Sequence, residues 1–494
     1  MAFFIRSHRW LGGIVPYEIK LSGFPDGGTM VQDAINHWTS NTILKFRPRA
    51  GEHDYVRIVA DSSIKQGGNS PVGRRGGGQW VKISPFNDDK WPTVHELGHA
   101  IGMHHERQRP DRNDFVIVTK PKDKDNVLLP DGIPVGPFDS DSTMSPTTGD
   151  DKFSYKPGFG NSTLHGLSPG DVKGVAYVYH GSLGRKVHEY HWTKGWTTAF
   201  HYVVNGKDFM FFLKVGNPHD KYSGAVDIHE VNLDGGVGAK VIHYDWTFGW
   251  TTGFYYEVNG KPFMFFLKSL EGAVDIHHVN PDGTVGEPVT PRYEGWFGWT
   301  TAFHYVVNDK HFMFFLKAGD GAVDIRHVNS DGTVGALVKH YDWSPGWTTA
   351  FHYAVNGKHY MFFLKVGNPV VDFFKQTGGV VHIHEIKSDG TVGDKIEEHM
   401  WRSGWTTGLF YQVAGNPYMF FVRARYPFPF FRYDHNIAVT QVLGDGKIGP
   451  DLERYDWSDG WTTAFHYEVN SKHYILFLMR DSGLVRIYRV GVDP

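Results

Sequence analysis

The stretch WPTVHELGHAIGMHHERQRPDR, residues 91–112, decides how the first part of the chain folds. It contains the pattern His95-Glu96-x-x-His99-x-x-Gly102-x-x-His105. On a helix, residues four apart lie on the same face, one turn from each other, so His95 and His99 can direct two imidazoles at one ion. Gly102 permits a backbone turn that other residues resist, and this turn brings His105 back as a third ligand. The spacing therefore predicts a metal site with three histidine ligands.

Three protein ligands leave the fourth position of a tetrahedral zinc ion open, which is typical of a catalytic site and not of a structural one. We expect one Zn²⁺ ion here, with Glu96 as the general base that takes a proton from the attacking water. His104 does not fit the ligand spacing, and we interpret it as a packing or surface residue. The predicted reaction is the hydrolysis of a peptide bond by a zinc endopeptidase.

Composition limits the other functions that need to be considered. A chain of 494 residues with 40% hydrophobic and 21% charged residues should fold into two or more domains. A formal charge of −3 argues against nucleic acid as a partner, and no apolar run is long enough to span a bilayer. Because the chain has no cysteine, a zinc ion must be bound by histidine or carboxylate.

The C-terminal part, residues 183–494, is a repeat array. The tetrad GWTT occurs six times, about 50 residues apart, with its tryptophans at Trp196, Trp250, Trp299, Trp347, Trp405 and Trp461. Each copy is followed by alternating and apolar strand-length segments that are joined by Asn-Gly and Asp-Gly turns. Four strands in each unit and six units predict a six-bladed β-propeller, although the pattern does not show whether the two chain ends share a blade.

The boundary between the two parts is predicted near residue 182. Residues 168–179 have the pattern of a helix, with Ser168 as N-cap, Pro169 at the first helical position and Asp171 completing a capping box. We therefore assign residues 1–182 to the metal-binding domain and residues 183–494 to the propeller.

Two interpretations of the six GWTT tryptophans remain open. They are either apolar staples, which every blade needs at the same place, or the walls of six equivalent ligand pockets. The fifth repeat also carries an aromatic cluster, RARYPFPFFRYDHN at 423–436, of a kind that often marks a binding surface. Because sugar rings stack on aromatic faces, we predict that the repeats bind glycans or glycoproteins; protein binding and a purely structural role are the alternatives.

Several segments of residues 1–182 resemble the astacin family of metzincin proteases. HELGHAIGMHHE at 95–106 resembles the zinc signature of that family, RWLGGIVPYEI at 9–19 its mature start, and DSTMS at 141–145 its Met-turn. The resemblance implies an α+β zincin-like protease domain, with Met144 beneath the zinc and Glu106 receiving the buried N-terminus. It also implies an extracellular protein, although MAFFIRSHRW lacks the long apolar middle of a signal peptide.

The family resemblance also suggests where a substrate binds. VGRRGGGQWVKIS at 72–84 resembles the strand at the rim of the cleft, so we expect Gln79, Trp80 and Val81 to form an exposed edge to which a peptide adds as a further strand. One departure is Pro146, which stands where the family usually has a tyrosine ligand; Tyr155 is a distant candidate to replace it.

The leading hypothesis is therefore a zinc endopeptidase that acts on protein or peptide substrates and is targeted by a lectin-like propeller. The alternative is a glycan-binding protein whose protease domain is inactive or vestigial. The intact ligand set with Glu96 favours the first hypothesis, whereas Pro146 favours the second.

Overall fold

The computed structural model describes the chain except residues 1, 6–7, 25–26, 121–125, 131, 146–152, 160–165, 290–291, 367–377, 402–403, 424–435, 456, 458–459 and 493–494. The N-terminal part is a mixed α+β domain. Its regular elements are β1 (Phe3–Phe4), β2 (Ile14–Lys20), α1 (Gly27–Asn41), β3 (Lys45–Pro48), β4 (Tyr55–Ala60), β5 (Gly68–Asn69), β6 (Gly78–Ile83), α2 (Trp91–Ala100), β7 (Val116–Val118), β8 (Ile133–Pro134), β9 (Phe153–Tyr155) and α3 (Pro169–His180). Short 3₁₀ helices cover Leu11–Gly13, Glu106–Gln108 and Arg112–Asp114.

One five-stranded sheet supports α2. Its strand order is β3-β2-β4-β6-β5, in which β5 is an antiparallel edge strand and the other neighbours are parallel. Helix α1 packs on α2, and the indole N–H of Trp38 donates to the carbonyl of Val94 at 2.9 Å. The helix that carries the predicted ligands is therefore held between the sheet and a second helix.

Helix α3 begins as the sequence predicts. The Ser168 hydroxyl accepts a hydrogen bond from the backbone N–H of Asp171, and the Asp171 carboxylate accepts one from the N–H of Ser168. Pro169 occupies the first helical position. The helix ends at His180, and the next strand begins at Leu183.

The C-terminal part is a ring of six four-stranded antiparallel sheets, as the repeats predict. The strands are, in blade 1, β11 (Trp196–Val204), β12 (Lys207–Lys214), β13 (Gly224–Val231) and β14 (Val237–Trp246); in blade 2, β15 (Thr252–Val258), β16 (Lys261–Lys268), β17 (Ala273–Val279) and β18 (Val285–Pro288); in blade 3, β19 (Thr301–Val307), β20 (Lys310–Leu316), β21 (Ala322–Val328) and β22 (Val334–Asp342); in blade 4, β23 (Trp347–Val355), β24 (Lys358–Lys365), β25 (Gly379–Ile386) and β26 (Val392–Trp401); in blade 5, β27 (Trp405–Val413), β28 (Asn416–Arg423), β29 (Ile437–Val442) and β30 (Ile448–Tyr455); and in blade 6, β31 (Thr463–Val469), β32 (Lys472–Met479), β33 (Leu484–Val490) and β10 (Leu183–His191).

Blade 6 is built from both ends of the array, which answers the question that the sequence leaves open. Strand β10 pairs with β33, so the first strand of the ring is the outer strand of its last blade. Within the blades, tight hairpins follow the expected chemistry: Asn205 and Gly206, which join β11 and β12, both have positive φ angles, as a type I′ turn requires.

The GWTT tryptophans belong to the packing between strands. Trp196, Trp250, Trp299, Trp347 and Trp461 are all buried, whereas Trp405 is only partly buried. A lysine or arginine lies over the ring of five of the six, for example Lys317 over Trp299 at 4.9 Å. Burial of these five favours the interpretation as staples over that of six equivalent ligand pockets, which stays untested. The staple interpretation fits these five.

A second repeated contact joins neighbouring blades. A tyrosine on each inner strand donates its hydroxyl hydrogen to a glycine carbonyl at 2.5–2.7 Å, in the pairs Tyr202–Gly283, Tyr256–Gly332, Tyr305–Gly390, Tyr353–Gly446, Tyr411–Gly181 and Tyr467–Gly235. In five pairs the glycine belongs to the turn between the third and fourth strands of a blade.

The sixth pair crosses from the ring to the N-terminal domain. Blade 6 has no turn between its third and fourth strands, because β10 comes from the other end of the ring. Gly181, directly after α3, takes that place. A Cβ atom on Gly181 would lie 2.4 Å from the ring of Tyr418, just as one on Gly283 would lie 2.6 Å from Phe209. The N-terminal domain thus completes the ring, and the apolar cores of the two parts are continuous.

Among the described residues, no helix is both long enough and apolar enough to cross a bilayer.

Candidate metal centre

The predicted ligand helix and turn are present. His95 and His99 lie one turn apart on α2, and the helix ends next to Gly102, whose φ angle is +106°. The N–H of Gly102 donates to the carbonyl of His99 at 2.8 Å, and a Cβ atom here would lie 3.0 Å from the guanidinium of Arg9. A glycine is therefore needed both for the backbone angle and for the space. His105 follows in extended conformation and faces back towards the helix.

The three imidazoles converge through their Nε2 atoms. Nε2 of His105 lies 3.1 Å from Nε2 of His95 and 3.2 Å from Nε2 of His99. The other ring nitrogens are occupied, since Nδ1 of His95 donates to the carbonyl of Thr143 and Nδ1 of His99 to that of Met103, both at 2.8 Å. Carbonyl partners fix the tautomer with the lone pair on Nε2. This donor set fits a tetrahedral zinc ion, and among the described residues no other group of three such side chains is close enough to hold a metal.

Burial also favours the protonation state that a metal requires. It lowers the pKa of His99 and of His105 well below 6.5, and the neighbouring imidazoles add to the effect. A neutral imidazole is the form that binds a metal ion. His104 lies outside the cluster: its ring packs against Phe3, and burial lowers its pKa to about 4.

Met144 lies under α2. It is fully buried, and a Cβ atom on Gly98 would lie 2.6 Å from its sulfur, so the helix approaches the methionine only because residue 98 is glycine. The carbonyl of Met144 accepts a hydrogen bond from the N–H of Glu106 at 3.3 Å. Met144 therefore packs against the helix that carries His95 and His99, and its position beneath a zinc ion stays a prediction.

Asp171 is a residue of this site that sequence reasoning missed. Besides capping α3, its fully buried carboxylate accepts hydrogen bonds from the Ser142 hydroxyl at 2.6 Å and from the N–H of Thr143 at 2.8 Å. Burial raises its pKa to about 6, and these hydrogen bonds oppose that rise. Since the carbonyl of Thr143 orients His95, Asp171 supports that ligand through the backbone. The capping pattern that revealed its first role contains no signal of the second.

Glu96 is almost completely buried beside the edge of the sheet. A Cβ atom on Gly68 would lie 2.5 Å from Cγ of Glu96 and 2.6 Å from the carbonyl oxygen of Lys82. Strand β5, which contains Gly68, is the antiparallel edge of the sheet and pairs with β6 only at Lys82 and Ile83. The edge strand next to the candidate general base is therefore β5.

The predicted edge at Gln79, Trp80 and Val81 lies on β6, and β5 covers that strand only at Lys82 and Ile83. Addition of a peptide at residues 79–81 stays a prediction. Val81 is fully buried in the core, and the buried amide of Gln79 bonds to the carbonyl of Gly73 and the N–H of Arg75. Trp80 lies on the opposite face of β6, exposed, with the guanidinium of Arg57 4.6 Å above its ring.

Three other predictions concern the surroundings of the cluster. Glu106 is fully buried, and burial raises its pKa to about 8, opposed by Arg109 at 3.5 Å. Met1 lies outside the described residues, so contact between Glu106 and the N-terminus stays a prediction, although Ala2 is fully buried. Pro146 also lies outside the described residues. Tyr155 bonds to Ser145, next to Met144, and burial raises its pKa.

Comparison with known proteins identifies the family of the N-terminal part. The model of the astacin peptidase family matches residues 4–127, which include the three histidines and Glu96. Astacin-like metalloprotease toxin 1 of Loxosceles intermedia is 35% identical over 143 residues, 27% of this chain and 53% of that protein. Protein SpAN of Strongylocentrotus purpuratus is 38% identical over 117 residues, 23% of this chain and 19% of that protein.

A solved structure with a similar part is high choriolytic enzyme 1, a hatching enzyme zinc-protease from Oryzias latipes. The match covers 34% of this chain and 91% of that chain, with 22% sequence identity and a TM-score of 0.28. The chain spans about half, or less, of the length of the two curated relatives.

Proposed function

Since residues 4–127 form an astacin domain, we propose that the protein is a zinc-dependent endopeptidase that hydrolyses protein or peptide substrates. The observation that carries this proposal is the convergence of three Nε2 atoms next to a buried carboxylate. His95, His99 and His105 are the ligands in this proposal, and their carbonyl partners keep the rings oriented.

A bound zinc ion supplies Lewis acidity, which lowers the pKa of water and polarises a carbonyl. The chain supplies the proton transfer: Glu96 accepts a proton from the attacking water and donates it to the leaving amine as the peptide bond breaks. Its position on α2, directly beside His95, and its burial against β5 support this role.

The substrate binds in extended form along β5. An edge strand offers unpaired backbone donors and acceptors, to which a peptide adds as a further antiparallel strand. Because such binding uses the peptide backbone, it is largely independent of side-chain sequence. Gly68 lets the edge lie directly against Glu96, which brings a bound peptide bond to the candidate base.

The deciding experiment compares casein hydrolysis by the wild-type chain with and without a chelator, alongside Glu96→Ala. We expect the variant to keep one zinc ion per chain by elemental analysis and to lose about 10²–10⁴-fold in rate. Glu287→Ala, at an exposed position on β18, is the matched control and should cleave casein like the wild type. Wild type and Glu96→Ala that are equally inert with zinc bound would contradict the proposal.

For the ring we propose glycan binding, which directs the protease to glycoproteins, and an extracellular location. A cavity beside Trp405, the least buried of the six GWTT tryptophans, supports this proposal. A glycan array probed with the full-length Glu96→Ala chain tests it without cleavage of glycoproteins. A blank array would contradict glycan binding. If the array is positive but casein hydrolysis is not sensitive to a chelator, the alternative is favoured, which is a lectin-like protein with an inactive protease domain.

A further inference from the structure

The six blades share one diagonal contact between their second and third strands. The first residue of the second strand lies diagonally opposite a residue near the end of the third, and in blade 4 these two are Lys358 and Glu385, whose charged groups are 3.7 Å apart. Blade 6 has Lys472 and Arg489 at these positions. The other pairs are Lys207–Glu230, Lys261–His278, Lys310–His327 and Asn416–Gln441. Among these six pairs, only that of blade 6 consists of two permanent cations.

Arg489 also differs from its counterparts in burial. It is 8% exposed, whereas the residues at this position in the other five blades are exposed or half-buried. Its guanidinium lies over the ring of Tyr474 at 5.1 Å. Nη1 of Arg489 is buried and has no hydrogen-bond partner within the part of the chain that the structure describes. A buried donor without a partner is costly unless a ligand or water satisfies it.

Lys472 and Arg489 line a cavity of about 290 Å³ at the seam of the ring. The seam is the place where β10, from one end of the array, pairs with β33, from the other end. The lining also contains residues 185–188 of β10, Tyr474 and, from the neighbouring blade 1, Asp234. The cavity therefore belongs to the one blade that both ends of the array build.

The two cations of this cavity have no counter-ion of their own. Neither Lys472 nor Arg489 forms a salt bridge with a carboxylate of the described residues. Asp234 is the acidic residue of the lining, and its carboxylate accepts a hydrogen bond from the backbone of its own turn. Lys186, by contrast, is paired with Glu189 at 2.6 Å. An anionic ligand is therefore the partner that Lys472 and Arg489 lack.

A phosphate group has the charge and the geometry that these two side chains can bind. Guanidinium binds phosphate oxygens through directed hydrogen bonds, and the lysine ammonium adds a point charge on a flexible stem. A phosphate monoester carries a charge of about −1.5 to −2 at neutral pH, which matches two cations better than the single charge of a carboxylate does.

We propose that the cavity at the seam of blades 6 and 1 is a binding site for a phosphate group, held by Arg489 and Lys472. The phosphate is either the free ion or a monoester of a small molecule, since both present the same oxygens. Blade 4 lacks the site because Glu385 neutralises the lysine that corresponds to Lys472. Binding at the seam depends neither on hydrolysis at the metal centre nor on glycan binding by the ring.

Isothermal titration calorimetry on the full-length chain tests the proposal. The probes are inorganic phosphate and glucose 6-phosphate, with acetate and glucose as controls at the same ionic strength. We expect at least one phosphate probe to bind at one site per chain, at least about tenfold more tightly than acetate or glucose. Binding of inorganic phosphate alone identifies the free ion as the ligand, binding of glucose 6-phosphate alone identifies the ester, and binding of both shows that the group itself is recognised. No binding of either phosphate probe, or equal affinity for a control, would overturn the proposal.

Two substitutions locate the site. Arg489→Glu gives Lys472 the carboxylate partner that blade 4 has, so phosphate affinity should fall at least about tenfold. The melting temperature should not fall, because blade 4 already contains this pair. Lys472→Gln should also lower phosphate affinity at least about tenfold. The matched control, Lys207→Gln, makes the same change at the corresponding position of blade 1 and should bind phosphate like the wild type.

The variants also separate the seam from the metal centre, since zinc can coordinate a phosphoryl oxygen. If phosphate affinity is unchanged in both Arg489→Glu and Lys472→Gln, the phosphate is bound elsewhere and the proposal is wrong. If Lys207→Gln weakens binding as much as Lys472→Gln, the general charge of the ring accounts for the affinity and the proposal is equally wrong. Failure of casein hydrolysis or a blank glycan array leaves both results interpretable, because neither assay involves the seam.

Discussion

The hydrogen bond between Tyr411 and Gly181 offers the sharpest test of how the two domains are joined. The Tyr411 hydroxyl donates to the carbonyl of Gly181 at 2.7 Å and is the one member of the repeated tyrosine–glycine contacts that leaves the ring. The perturbation is Tyr411→Phe. Its internal match is Tyr305→Phe, which removes the equivalent bond to Gly390, at 2.6 Å, within the ring.

The expected magnitude follows from burial. Tyr411 and Tyr305 are 2% and 3% exposed, so each substitution leaves a carbonyl without its partner where water has little access. Such a loss costs about 1–3 kcal/mol in the free energy of unfolding. If Gly181 replaces the missing turn of blade 6, both variants lose a similar part of the free energy of unfolding. This is expected although the bond of Tyr411 lies between domains and that of Tyr305 within the ring.

Urea unfolding measures the effect with two signals. Tryptophan fluorescence reports mainly on the ring, because only Trp10, Trp38, Trp80 and Trp91 of the 16 tryptophans precede residue 183. Chelator-sensitive peptide hydrolysis, the proposed activity, reports on the N-terminal domain. Tyr411→Phe should lower the urea midpoints of both signals together. The reasoning is refuted if Tyr305→Phe lowers the fluorescence midpoint while Tyr411→Phe leaves both midpoints unchanged.

Three further predictions concern the site and the ring. Gly68→Ala places a Cβ atom 2.5 Å from Cγ of Glu96. It should lower kcat for peptide hydrolysis, while elemental analysis still finds one zinc ion per chain. An unchanged kcat would show that β5 does not border the candidate base. Asp171→Asn replaces a carboxylate that accepts hydrogen bonds from Ser142 and Thr143. Zinc affinity, measured by competition with a chelator, should therefore fall about 10–100-fold. The control Asp33→Asn, on the surface of α1, should leave zinc affinity unchanged. Burial lowers the pKa of His304, His352 and His466 to about 4, 3 and 3. Because these pKa values lie below 6.5, the value for an unperturbed histidine, the unfolded chain binds more protons than the folded chain as the pH falls below 6.5. The melting temperature should therefore fall as pH drops from 6.5 towards 4. His352→Phe introduces the residue that blade 5 has at this position, Phe410, and should make the fall in melting temperature with pH shallower. A pH profile of the melting temperature identical to that of the wild type would contradict the contribution of His352.

The metal centre was predictable because its geometry is local. His95, His99 and Gly102 are set by one helix and its end, and the three-residue step to His105 needs only the turn that glycine permits. The same holds for the cap at Ser168, where the pattern within four residues determines the contacts. Six copies of one strand pattern likewise determine six blades, since each copy repeats the same local alternation and turn.

The edge strand beside Glu96 was not predictable in this way. Strand β5 is two residues long, Gly68–Asn69, and a segment of that length has no alternation to detect. Strand β6 has six residues that alternate between exposed and buried positions, so the sequence pattern favours this strand. Its buried side chains, however, pack in the core or, like that of Gln79, bond to the loop at 73–75. Ring closure by β10 was equally hidden, because it depends on pairing between strands from opposite ends of the array.

The departures from the repeat carry the information about function that the repeat itself cannot. Packing between strands accounts for five of the six recurring GWTT tryptophans, which are buried. Gly181 is such a departure, because it brings the N-terminal domain into the place of a missing turn. Because α3 ends at His180 and β10 begins at Leu183, no flexible linker separates the cleft from the ring. If the ring binds glycans as proposed, a bound glycoprotein presents a peptide bond to the metal centre only where the distance along the substrate matches that fixed spacing. The ring would then select among glycoproteins by geometry as well as by sugar.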